Sequence, residues 1–167
     1  MSEDEFRALA DKEAIREALY NYCRSVDRLD IGLGHSVFHE DSHADYGADV
    51  YQGPGKGCID AIIKTHDHLI GHSHQISNVL IALDGDFAGS EAYMTGTMRM
   101  IRDGKEFQIL VRARYLDRWE KRDGRWAITR RQLAYDHDEV REVTGMRGSQ
   151  NSARDTTDPS YAILKGA

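Results

Sequence analysis

Three short turn signals divide the second half of the chain into long, evenly spaced pieces. DGD at 84–86, RDGK at 102–105 and KRDGR at 121–125 each place Asp-Gly between two apolar segments. Asp-Gly supplies the positive φ that a tight hairpin turn needs. Turns that tight make the flanking segments antiparallel neighbours. HQISNVLIALD, FAGSEAYMTGTMRMI, EFQILVRARYLDRWEK and RWAITRRQLAYDHDE are therefore predicted to form a meander of four long strands.

Such a sheet needs a cover for its apolar face, and the first half of the chain offers two helices. Over residues 5–29, Phe6, Leu9, Ala10, Ile15, Ala18, Leu19, Tyr22 and Val26 recur at spacings of three and four, with no proline or glycine. CIDAIIKTHDHLI repeats the pattern through Ile59, Ile62, Ile63, His66 and Leu69. Between them, LGHSVFHE reads as a short helical turn, HADYGAD as a short strand and YQGPGKG as a loop. The expected fold class is α+β: a curved sheet forming a cone around the N-terminal helix. Ile15, Leu19 and Val26 should be buried against Leu110 or its neighbours of the other parity. The cone is expected to occupy residues 1–140. The polar tail, 141–167, should be extended or packed on a neighbouring subunit. Two helices cannot cover both faces of the sheet. Ile81, Leu83 and Val111, or their parity partners, are left outside, which points to a homo-oligomer.

Composition excludes several classes. At 167 residues, with 40% hydrophobic and 30% charged residues, the chain reads as one soluble domain. Its net charge of -6, without a basic tail, disfavours nucleic acid as a partner. No apolar run is long enough to span a membrane. The acidic start MSEDEFRALADKEA is unlike a signal peptide. Cys23 and Cys58 form no disulfide framework, so a cytoplasmic setting is expected.

HDHLIGHSHQISN, at 66–78, gathers four of the eight histidines. His72 and His74 share a strand face, but His66 and His68 point apart on a helix, a poor set for zinc. HExxH, paired CxxC and calcium-loop patterns are absent, so no metal is expected. Nor is a cofactor: GxGxxG is missing, GPGKG lacks the rest of a phosphate loop, and GHS is no nucleophile elbow. His74 is more suggestive, because it opens an apolar strand where an inward imidazole would meet an acid from the first helix. Asp27 is the candidate acid, and it reads either as a helix-end surface carboxylate or as an inward one needing a partner. Paired, the two would make a general base, the carboxylate fixing the tautomer of the ring. One of Arg130 and Arg131 must point inward. Parity with Leu133 and Tyr135 favours Arg131, as an anchor for an anionic oxygen or leaving group, or as half of a structural ion pair. Tyr22 and Tyr46 are candidate donors or plain packing residues. Met94, Met98 and Met100 read as core.

KEAIREALYNYCRSVDRLD, YQGPGKGCIDAI, HSHQISNVLIAL and YLDRWEKRDGRWAITRRQLAY, in that order, resemble the SnoaL-like branch of the nuclear-transport-factor-2-like superfamily. The likeness is to the group with scytalone dehydratase, bile-acid 7α-dehydratase and hexachlorocyclohexane dehydrochlorinase. It implies a cone-shaped curved mixed sheet, a cystatin-like α+β barrel. It implies His74 as the base, Asp27 as its carboxylate partner and Arg131 as the inward arginine. Tyr22 and Tyr46 fall where dehydratases of the group have tyrosines. The implied activity is that of a cofactor-independent lyase, a dehydratase or dehydrohalogenase, acting on a small hydrophobic or polycyclic molecule. A ketosteroid-type isomerase and a non-catalytic ligand-binding protein share the fold. Relatives assemble as dimers or trimers, which makes a homotrimer the leading expectation. His72 beside His74 and the polar tail depart from the pattern.

Overall fold

The first helix, α1 (Glu3–Arg28), forms where the apolar stripe predicts it. Ser2 and Glu5 close its N-terminus with a reciprocal capping box, and Leu29 ends it in the left-handed region at φ 53°. Ile15, Leu19, Tyr22 and Val26, on one face, are buried. The computed structural model describes residues 1–145 and 148–164. After α1 come α2 (Ile31–Ser36), β1 (Phe38–Asp45), β2 (Gln52–Pro54) and α3 (Gly55–His66). Four long strands follow: β3 (Gly71–Asp84), β4 (Phe87–Arg102), β5 (Lys105–Arg122) and β6 (Arg125–Glu142). A short α4 (Pro159–Leu164) closes the described chain.

The meander is present. Gly85, Gly104 and Gly124 sit in its turns with φ of 59°, 74° and 78°. The sheet has six strands in the order β2-β1-β6-β5-β4-β3, and it is mixed because β1 runs parallel to β6.

One expectation is overturned: the sheet is open, neither a barrel nor a strongly curled cone. Its two edges, β2 and β3, do not pair. Closure needs strands long enough on both edges to meet in register. β2 has three residues and pairs only with β1. On the other edge, the outward N–H of His74 in β3 donates to the carboxylate of Asp27, so a helix side chain ends the ladder there.

Two bulges decide which side chains face the helices. In β3 the register shifts between Ser77 and Leu80, with Asn78 at φ 49°. His72, His74 and Ile76 face inward before the shift, and Val79, Ile81 and Leu83 after it. Ile81, Leu83 and Val111 therefore pack on the core, while the parity partner Leu80 stays outside, 66% exposed. In β6 a shift opposite Arg118 and Trp119 leaves Thr129 unpaired. Trp126 and Ile128 face inward before it, and so does Arg131 after it. Simple alternation along this strand would have put Arg131 opposite to them.

β6 runs to Glu142, past the expected domain end. The tail lies on the chain's own helices. Arg154 donates to the carbonyls of His66 and Asp67, Arg24 donates to Ser160, and Arg28 pairs with Asp158 at 3.4 Å. Among the described residues, no helix is long and apolar enough to cross a membrane.

Candidate active site

The last turn of α1 brings Asp27 to the edge strand β3. One carboxylate oxygen accepts from His74 Nδ1 at 2.8 Å, and both lie 3.0 Å from the backbone N–H of His74. Both side chains are largely buried, at 8% exposure for His74 and 15% for Asp27. A carboxylate that accepts can be met only by a donor, so Nδ1 carries the hydrogen, and in the neutral ring Nε2 keeps its lone pair. That nitrogen lies over β4 at Gly96, the cross-strand partner of His74. A Cβ on Gly96 would stand 3.6 Å from Nε2. The next residues across the inner face, Val111, Met98 and Ile109, are half-buried, which leaves an apolar floor beside the ring. A cleft of about 390 Å³ opens at the pair, between Tyr20, Cys23 and Arg24 of α1 and Gln75 and Ile76 of β3.

Two more histidines close in on His74. The ring of His66, from the last turn of α3, stands 5.4 Å from that of His74 and 4.9 Å from that of His72. His66 Nδ1 donates to the carbonyl of Ile62 and His72 Nε2 to that of Val26. Burial pushes His66 down to about 4 and lowers His72 as well, so both rings are neutral near neutral pH. His68 is exposed and outside this cluster. Among the described residues, no group of three or more histidine, cysteine or acidic side chains has the geometry to hold a metal ion.

The remaining expected residues form a separate, drier group. Tyr22 and Tyr46 share a hydrogen bond of 2.7 Å between their hydroxyls. Burial raises both phenols, and they stay protonated. Arg131 is 0% exposed and donates from Nε and Nη2 to Asp117 at 2.7 and 2.8 Å. Its guanidinium lies 4.1 Å from the Tyr22 ring centre and 4.2 Å from that of Tyr115. Burial opposes its charge, but the Asp117 carboxylate outweighs it and keeps the group firmly protonated. Cys23 joins the two groups: its thiol, pushed up to about 12 by burial, feels both Arg131 and Asp27. The structure thus brings Asp27 to His74, and Tyr22 to Tyr46 and Arg131. It encloses Arg131 in an ion pair, away from the cleft. Asp117 was missed in the sequence, although YLDRW places it in step with the inward Tyr115 and Trp119.

An open α+β sheet thus lies under a long helix, with the Asp27–His74 pair and its cleft at one edge. The profile of the SnoaL-like domain family matches residues 7–132, and the chain belongs to that family. No curated protein matches the chain. Among solved structures, a LinA-type hexachlorocyclohexane dehydrochlorinase from Novosphingobium barchaimii is 15% identical, with a TM-score of 0.73 over 87% of this chain and 99% of that one. A putative scytalone dehydratase from Novosphingobium aromaticivorans is 22% identical, with a TM-score of 0.66 over 86% and 97%. The Kfla4162 protein from Kribbella flavida is 18% identical, with a TM-score of 0.70 over 79% and 95%. At these identities the likeness shows a shared fold.

Proposed function

We propose that this protein is a cofactor-independent lyase, a dehydratase or dehydrohalogenase acting on a small hydrophobic molecule. The observation that carries this reading is the 2.8 Å contact from His74 Nδ1 to Asp27, which leaves Nε2 bare beside an apolar floor. In the proposed reaction Nε2 takes a proton from a carbon acidified by a neighbouring carbonyl. The C–H electron pair becomes a carbon–carbon double bond as the β C–O bond breaks. The departing hydroxide takes the proton back from Nε2–H, so water leaves and the base is restored. A halide would leave without that proton. Asp27 holds the ring and supports the imidazolium that forms. The dehydrochlorinase and putative dehydratase with this fold support the choice of elimination. Tyr22, Tyr46 and Arg131 enter as positioning residues that hold the buried face of α1. Free, buried Cys23 and Cys58 suit a reducing, cytoplasmic setting, which is part of the proposal.

One observation favours a second reading. The inward cation assigned to a leaving group, Arg131, is taken up by Asp117. A ketosteroid-type isomerase needs a base and expels nothing. Proton–deuterium exchange at an activated carbon of candidate hydroxy- and halo-carbonyl compounds, with release of water or halide followed in parallel, separates the two. Elimination predicts exchange with release, both lost in His74→Ala and Asp27→Asn and largely kept in His72→Ala. Exchange without release selects the isomerase. Full turnover in all three variants would end the dyad reading.

A further inference from the structure

Two nitrogens beside the base have nothing to bond to. His66 Nδ1 donates to the carbonyl of Ile62 at 2.7 Å, and His72 Nε2 donates to that of Val26 at 3.0 Å. A carbonyl only accepts, so each neutral ring uses its one hydrogen there. His66 Nε2 and His72 Nδ1 are left as lone pairs. Both are buried, and among the described residues neither has a hydrogen-bond partner. A buried polar group without a partner is uncommon and unfavourable. Here two stand together, with ring centres 4.9 Å apart. The His74 ring lies 5.4 Å from that of His66 and 6.0 Å from that of His72. His72 and His74 share the inner face of β3, opposite Met98 and Gly96, and His66 reaches them from the end of α3.

Burial keeps both rings neutral near neutral pH, so their bare nitrogens can only accept. The charged groups felt by the pair are engaged elsewhere: Asp27 with His74, and Arg154 with the carbonyls of His66 and Asp67. Neither leaves a free charge at the pair, so a neutral donor suits it better than an ammonium. A halide or a carbonyl oxygen brings no hydrogen to give. A hydroxyl brings one, and a water molecule brings two.

We propose that His66 and His72 seat the leaving oxygen of the substrate, which makes the eliminated group a hydroxyl rather than a halide. This rests on His74 as the base. The β-hydroxyl donates its one hydrogen to His66 Nε2 and turns a lone pair towards the His74 ring. His74 Nε2 takes the α-proton, and the C–H electron pair becomes the carbon–carbon double bond. The C–O bond breaks with its pair on oxygen, and that oxygen takes the proton back from His74 Nε2–H. The water so formed has two hydrogens, enough for both His66 Nε2 and His72 Nδ1. The seat is therefore better matched to the departing oxygen than to the bound hydroxyl, which is the difference that accelerates a step.

Matched β-hydroxy and β-chloro forms of one bicyclic aryl ketone test this. Release of water and of chloride is followed for each, corrected for the uncatalysed rate, with α-proton exchange in parallel and circular dichroism to confirm folding. His66→Phe should slow water release by about tenfold and chloride release by less than about twofold. His66→Gln, whose amide oxygen can still accept, should recover most of the water release. His72→Ala should cost less than His66→Phe, because the hydroxyl has one hydrogen and His66 remains to take it. The same ketones with two methyl groups on the α-carbon have no proton to lose and report binding alone. In ¹⁵N-labelled protein the hydroxy form should move the His66 Nε2 resonance, and the chloro form should leave it in place. Equal losses of both releases in His66→Phe, or no loss of either, overturn the inference. So does a His66 Nε2 resonance that responds to both ligands alike. Wild-type protein that exchanges no α-proton on either ketone removes the base, and the seat with it; exchange with an unmoved ratio of water to chloride removes the seat alone.

Discussion

Asp117→Ala should be among the most damaging single changes to stability. Asp117 and Arg131 have 0% side-chain exposure and are joined through two hydrogen bonds, of 2.7 and 2.8 Å. Nη1 of Arg131 is already buried without a partner. Removing the carboxylate leaves a guanidinium faced by the rings of Tyr22, Tyr115 and Phe38, with no anion beside it. Breaking a buried ion pair from one side costs about 3–5 kcal/mol. Set against a usual stability of about 5–15 kcal/mol, that is about a fifth of the total at the least. For a domain of this size, about 2–4 °C of melting temperature goes with each kcal/mol, so a fall of about 6–20 °C is expected. Urea unfolding followed by tryptophan fluorescence suits the case, since Trp119 lies two residues from Asp117 on the same face. Asp117→Leu with Arg131→Met should recover most of the loss, because two apolar residues need no partner. A cost below about 1 kcal/mol for Asp117→Ala would show that water reaches Arg131 and that this core is not dry.

Gly96→Val places branched carbons against His74 Nε2 and should cut exchange at the activated carbon by about 10²-fold while circular dichroism stays unchanged. His66 titrates near 4 in the fold and about 6.5 when unfolded, so the unfolded chain binds more protons between those values. Stability should therefore fall as pH drops, by about 1–2 kcal/mol between about pH 7 and about pH 5, and His66→Phe should flatten that limb of a urea-melt series. Asp158, held at about 2 by bonds to Ser160 and the N–H of Ala153, favours the docked tail above about pH 4, and that help is lost as pH falls towards 2. Asp158→Asn should expose the tail to limited proteolysis at neutral pH, and equal protection would show that Asp158 does not hold the tail down.

The parts of the fold carried by local pattern were legible in the sequence. The spacing of Ile15, Leu19, Tyr22 and Val26 marks the buried face of α1, and three Asp-Gly turns mark the meander. Asp27 and His74 could be matched because His74 precedes the bulge at Asn78, where strand parity is still simple. Bulges themselves leave little trace. Thr129 carries no signal that it will go unpaired, and it decides that Arg131 faces inward together with Ile128. Openness of the sheet was illegible for a different reason. It depends on how far β2 extends and on Asp27 capping the β3 edge, neither of which has a periodicity. An ion pair at Arg131 was one of the readings, but Asp117 as its partner escaped because it lies on the neighbouring strand, fourteen residues away in sequence.

The proposed chemistry depends on one hydrogen atom, and its position can be measured without a substrate. Long-range ¹H–¹⁵N correlation on the ¹⁵N-labelled protein distinguishes imidazole tautomers directly. With Asp27 accepting at 2.8 Å, His74 should appear as the Nδ1–H form with a bare Nε2 in its neutral state, and Asp27→Asn should abolish that preference. A neutral His74 in the Nε2–H form in the wild-type protein would leave no lone pair facing Gly96, and His74 could not be the base.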